Sequence, residues 1–322
     1  VQGRVRIRKN DTLSQRVAYG RGALLLSIPF VLVGATFAVL GFADVRLKGA
    51  NAPMWVIGAT GLSFLLAGVL LLANAVRGIR AASRRRALAD APAWERDFPW
   101  DRSGTTDRTP GRVANAFLGS ALLLVFLVPF NWWAFLSGKG PLPVEVFVAF
   151  FDLLLLAVLG NAGYLLLQLV KYGRSRLGFR RFPFLTGERL SVVFSPNRFA
   201  EVRFVLRCVE ERFETTGAGK NRTTSLVCDQ IYRDERVLEP GSLLAEVEVE
   251  FDLPDEPEWG NRFGEMPLRY WELLVEAEEP GVDFSTSFLL PVYYTGTVPG
   301  THPVVSAGAA ELSPGRCLAP YR

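Results

Sequence analysis

Histidine and cysteine are almost missing from this chain of 322 residues, which holds one of the first and three of the second. The lone histidine, His302, lies in a Gly/Pro-rich tail and reads as an exposed loop residue. A Ser-His-Asp triad would have to use it, yet no Gly-x-Ser-x-Gly elbow is present. No His-Glu-x-x-His or Cys-x-x-Cys pair offers zinc ligands, and Cys208, Cys228 and Cys317 lack the paired spacing of a disulfide framework. Gly217-Ala218-Gly219-Lys220 has the flavour of a phosphate loop, but the glycine expected five residues before Gly219 is Glu214. That segment also joins two strand patterns, so no helix N-terminus would face the anion. No catalytic residue, metal site or cofactor is assigned, and the chain reads as a non-enzyme.

Charge is missing from four long stretches, and there the composition becomes informative. A hydrophobic fraction of 49% is high for a soluble protein. Runs 23–42, 54–76 and 116–136 carry no charged residue, and 146–170 carries only Asp152. About 20 apolar residues cross the ~30 Å hydrocarbon core as a helix that satisfies its own backbone. Four transmembrane helices are expected, with small residues such as Gly34 and Ala38, or Ala59 and Ser63, at a spacing that fits a compact bundle or self-association. Asp152 is the one ionisable group inside a span. It serves either packing near the outer interface or, in a transporter or channel subunit, a pathway.

Basic residues are unevenly placed around these runs. The tail before the first run, the 77–115 connection and Lys171–Arg181 together hold 20 Lys and Arg, against three in the two opposite loops. By the positive-inside rule both termini face the cytoplasm of a bacterial inner membrane. The 77–115 connection reads as a tethering loop. Lys171, Arg174, Arg176, Arg180 and Arg181 form a collar suited to anionic lipid. Residues 1–181 carry 23 basic against 9 acidic groups, and residues 182–322 carry 13 against 23. An acidic distal domain argues against nucleic acid as its ligand, and its repulsion from anionic lipid would let it hang away from the membrane.

Past the collar the period shortens to two. Leu243 to Leu253 alternates apolar residues with Glu246, Glu248, Glu250 and Asp252, as a strand with one buried face does. Similar patterns cover 190–195, 202–213, 224–232, 270–277 and 283–290, broken by Pro- and Gly-containing turns. A hairpin centred on residue 218 would place Cys208 opposite Cys228 as two free, buried thiols. The expected fold is α+β, a four-helix transmembrane domain over 1–181 followed by an antiparallel β-sandwich over 182–322.

The ending Phe251-Asp252-Leu253-Pro254, then Arg269-Tyr270-Trp271-Glu272-Leu273, then Pro280-Gly281-Val282-Asp283-Phe284 leading to Leu290-Pro291-Val292-Tyr293, resembles the second half of an arrestin-like sandwich. The whole chain resembles bacterial multi-span membrane proteins that carry such a tail. The resemblance implies a scaffold that binds a membrane or cytoplasmic protein. Glu246, Glu248, Glu250 and Asp252 are the candidate face for a basic partner, and their spread along one strand excludes a convergent cation site.

Overall fold

The computed structural model describes residues 4–7, 13–43, 53–88, 90–138, 141–195, 201–217, 222–238, 246–263 and 266–294, with side chains in the first helix described from residue 24. His302, Cys317, Lys220 and Leu243–Ala245 lie outside these residues. In chain order the elements are β1 (Val5–Ile7), α1 (Leu13–Phe42), α2 (Met54–Ala87), α3 (Ala93–Asp97), β2 (Gly104–Thr106), α4 (Thr109–Asn131), a π turn (Trp132–Leu136) and α5 (Leu142–Tyr172). There follow β3 (Arg176–Phe179), β4 (Phe184–Leu185), β5 (Arg189–Ser195), β6 (Val202–Thr216), β7 (Thr223–Leu238), β8 (Val247–Asp252), β9 (Leu268–Ala277), β10 (Phe284–Leu290) and β11 (Val292–Tyr293).

Four helices are long and apolar enough to cross a membrane: Leu24–Phe42 within α1, α2, α4 with its π turn, and α5. They leave large apolar side chains such as Leu32, Val39, Leu124, Phe150 and Leu156 exposed, as lipid-facing surfaces require. Glycine permits the α1–α2 contact. A Cβ on Gly61 would lie 2.2 Å from the backbone nitrogen of Ala38, and one on Gly41 2.1 Å from that of Gly58. Gly34 meets Leu65 in the same way, so the small-residue stripe on α1 is occupied within the chain. At 34 residues and ~1.5 Å per residue, α2 is roughly 50 Å long and outruns a bilayer core. Its arginine-rich end stands beyond the apolar run.

The strands form two facing sheets, one ordered β1-β7-β6-β9-β10 and the other β2-β3-β5-β8. Their alternating residues meet in one core that includes Phe194, Phe204, Leu206, Phe251, Trp271, Leu273 and Phe288. All pairs in both sheets are antiparallel, while β11 and β4 form a short parallel pair beside them. Domain-wise the sandwich is not confined to 182–322. Val5–Ile7 adds a strand to β7, Gly104–Thr106 adds one to β3, and β3 itself begins at Arg176.

The 77–115 connection is therefore not a loose tether. Trp94, Phe98 and Trp100 pack with Ile7 against a second cluster of Val209, Cys228, Phe263, Leu268, Tyr270, Leu289 and Tyr293, on the face of the larger sheet opposite the sandwich core. Burying both faces of that sheet explains why β6 and β9 read as nearly continuous buried runs. The hairpin register also differs from a centre at residue 218. Glu211 pairs with Cys228 and Cys208 with Tyr232, with a bulge that leaves Ile231 extra. Both cysteines are buried, and they face different clusters, Cys208 the sandwich core and Cys228 the second.

Candidate functional site

The acidic face lies where the alternation places it. Val247, Val249 and Phe251 point into the core and Glu246, Glu248, Glu250 and Asp252 outward, on β8 at the outer edge of the smaller sheet. Its charge is partly met from the neighbouring strand. Arg189 reaches Glu250 at 3.2 Å and Asp252 at 3.4 Å, Arg180 reaches Glu248 at 3.2 Å, and Ser191 donates to the same carboxylate at 2.5 Å. The Ser191 and Arg180 hydrogen bonds hold the Glu248 carboxyl below its usual range.

The collar is likewise engaged with protein. Arg180 and Arg181 pair with Glu248 and Glu188, Arg176 donates to the Ser103 hydroxyl at 2.9 Å, and Arg174 is exposed. Lys171 donates to the Pro280 and Val282 carbonyls at 2.9 and 3.0 Å. Tyr172 donates to the Val282 carbonyl and sets its ring edge-on to Phe284, while Gln168 reaches the Asp283 carbonyl at 3.3 Å. The end of α5 grips the β9–β10 turn, so the sandwich is docked on the helices instead of hanging from them. Hydrogen bonds from Gln168, Lys171 and Tyr172 and the Tyr172–Phe284 ring contact hold it there.

A second joint sits at Asp107, which is buried. Its Oδ1 accepts from the Thr109 backbone N–H and hydroxyl, both at 2.8 Å, and from the Thr286 hydroxyl at 2.6 Å. The same carboxylate starts α4 and ties it to β10. Within the helices, Asp152 has a partner. Asn131 on α4 donates to it at 2.9 Å, which places the carboxylate in an interhelical clasp.

Sequence patterns did not single out the buried charges of the larger sheet. Glu210, Glu211, Asp229 and Glu272 are all buried. Arg269 meets Glu210 at 2.5 Å, Arg207 meets Glu272 at 2.7 Å, Arg212 meets Asp229 at 2.9 Å and Tyr270 donates to Glu211 at 2.6 Å. Arg4, from the segment leading into β1, completes Glu210 at 3.1 Å. Burial, then the nearby Glu272 and Glu211 carboxylates, hold the Tyr270 phenol well above its ordinary range. Each acid has a donor, as burial demands, and the set fixes strand register. Among the described residues no group of three or more His, Cys, Asp or Glu side chains could hold a metal ion.

One cleft of about 250 Å³ opens where α2 leaves its apolar run. From α2 it is lined by Gly78, Ala81, Ala82, Arg84 and Arg85. Arg96, Asp97 and Phe98 stand opposite, with Phe263 from the segment between β8 and β9. Asp97 is buried and paired with Arg96 at 3.2 Å. Burial pushes its carboxyl above the ordinary range, and Arg96 and Arg85 pull it part of the way back.

These features define an α+β chain with four helices long and apolar enough to cross a membrane and a sandwich woven from three separate stretches of sequence. No protein-family model and no curated protein matches it. A crystal structure of Spo0M, a sporulation control protein from Bacillus subtilis, is similar over 37% of this chain and 48% of that one, at 15% identity and a TM-score of 0.23. The chain thus aligns with about half of Spo0M's length.

Proposed function

We propose that the chain is a non-enzymatic membrane-anchored scaffold or adaptor, held in the bacterial cytoplasmic membrane with its arrestin-like sandwich on the cytoplasmic side, and that the sandwich binds a protein partner along β8. The observation that carries this reading is the position of β8. Among the described residues it is the last strand of its sheet, its buried face fixes its register, and its outer face carries four carboxylates against two arginines of the adjoining strand and turn. Apart from the Tyr232 hydroxyl on the Asp252 carbonyl at 3.3 Å, no described strand pairs with this edge, and an edge of this kind accepts an added strand through its backbone. The residual negative charge selects a basic partner and speeds its encounter. The excess of 20 basic residues on one side of the spans over three on the other supports the cytoplasmic placement.

The test replaces the face without changing its shape: Glu246→Gln, Glu248→Gln, Glu250→Gln and Asp252→Asn together. Exposed ion pairs contribute only ~0–1 kcal/mol each, so thermal melting in detergent should move little. Partner recovery by crosslinking in native membranes should fall and lose its salt dependence. Recovery of the same partners at the same yield and salt sensitivity would refute the assignment to β8.

A further inference from the structure

We propose that the cleft between the end of α2 and the Arg96–Phe98 stretch seats the phosphate of an anionic lipid from the leaflet on the sandwich side. The site is separate from β8 and does not depend on the partner reading.

Position is the first reason. The apolar part of α2, Met54 to Val76, takes up about 30–35 Å at ~1.5 Å per residue. Gly78 to Arg85 then stand roughly 3–14 Å beyond it, which brackets a headgroup layer of ~5–8 Å on each side of the core. Direction is the second. Side chains on a helix tilt toward its N-terminus, and the N-terminus of α2 lies across the bilayer. Arg84 and Arg85 therefore lean back toward the membrane surface, and neither forms a salt bridge with a described residue.

Chemistry is the third reason. Guanidinium groups match phosphate oxygens in a bidentate fork, and the three around this cleft approach from two different walls. The one carboxylate at the cleft, Asp97, bonds Arg96 at 3.2 Å and also attracts Arg85, so with three guanidinium groups against one carboxylate the cleft keeps a net positive charge for a phosphate. Gly78, Ala81 and Ala82 line the cleft with small residues, which leaves room for a headgroup. The Phe98 and Phe263 rings, 6.3 Å apart between centroids, give the cleft an apolar wall for a glycerol and the first acyl carbons. A free ion has no use for that wall. The same arginines also offset the negative end of the α2 dipole, a role that exposed arginines anywhere on the last turn would fill.

The experiment uses the full chain in nanodiscs of phosphatidylcholine with graded phosphatidylglycerol, counting lipids retained after delipidation by native mass spectrometry. The wild type should retain phosphatidylglycerol over phosphatidylcholine. Arg84→Gln with Arg85→Gln should weaken that retention roughly tenfold or more. Arg77→Gln with Arg80→Gln removes equal charge from the same helix outside the cleft and should leave it. Ala82→Leu, which fills the cavity and keeps every charge, should lose it too. Equal losses in both charge variants would mean diffuse attraction and overturn the proposal. So would retention unaffected by Ala82→Leu, retention without headgroup preference, or displacement of the lipid by millimolar inorganic phosphate, which would mark a site for the free ion.

Discussion

Removing the Asp107 carboxylate should loosen the joint between α4 and β10 without unfolding the helices or the sandwich. Three donors converge on one buried oxygen: the Thr109 N–H, the Thr109 hydroxyl and the Thr286 hydroxyl, at 2.8, 2.8 and 2.6 Å. Hydrogen bonds to a charged acceptor contribute about 1.5–3 kcal/mol each, and losing a capping side chain costs about 1 kcal/mol. The bonds share an acceptor and do not add, so Asp107→Ala is expected to cost about 3–5 kcal/mol at this joint. Thr286→Val removes one donor and should cost about 1–2 kcal/mol. In the double variant the Thr286 substitution should matter little, giving a coupling energy of about 1–2 kcal/mol. The assay is hydrogen exchange of the full chain in detergent. At ~1.4 kcal/mol per factor of ten, the Thr109 amide should exchange about a hundred- to thousandfold faster in Asp107→Ala. Amides at the centre of β9 should keep their protection. Unchanged exchange at Thr109, or additive effects of the two substitutions, would refute the view that this carboxylate joins α4 to β10.

Gly61→Leu places side-chain atoms where a Cβ alone already comes within 2.2 Å of the α1 backbone, so α1 and α2 must separate. The expected result is a melting temperature lowered by several degrees and loss of a disulfide engineered across the two helices. Cys208 is fully enclosed, and burial pushes its thiol far above the usual range. It has no thiolate to offer between pH 7 and 9, so a maleimide should label it only after denaturation. Labelling at Cys208 itself, located by peptide mapping, within minutes at pH 8 in the native protein would contradict the packing. Asp152→Asn keeps an acceptor for Asn131 and should change stability by less than about 1 kcal/mol. If the bundle served as a transport pathway through Asp152, the same substitution would instead abolish flux in proteoliposomes.

The spans were legible because nothing else in a chain produces twenty uncharged apolar residues. The helices run past those limits, α2 to Ala87 because arginine and alanine continue a helix well in water, and α4 back to Thr109, where Pro110 suits the first turn and the Asp107 carboxylate accepts the Thr109 N–H. The longer strands were legible as well, since β5 and β8 alternate over six residues or more. Val5-Arg6-Ile7 and Gly104-Thr105-Thr106 were not. Three residues carry no measurable period, and their strand state comes from the partners they meet, β7 and β3. The register near Cys208 escaped for a local reason, the bulge at Ile231, which no pattern in β7 announces. Of the candidate site residues, the β8 carboxylates could be read from alternation. The cleft could not, because Phe263 joins Arg84 and Arg96 only through the fold.

The strand at Val5–Ile7 has a consequence for the order of assembly. Its partners, Cys228 to Gln230, follow it by about 220 residues, and at ~5–20 residues per second they leave the ribosome roughly 10–45 seconds later. Throughout that interval the first strand is a short ribbon with no sheet to join, while the four hydrophobic helices are already inserting. Its docking is therefore a closing event. Bulky fusions ahead of Arg4 would meet their cost at this last step, after the membrane half has been built.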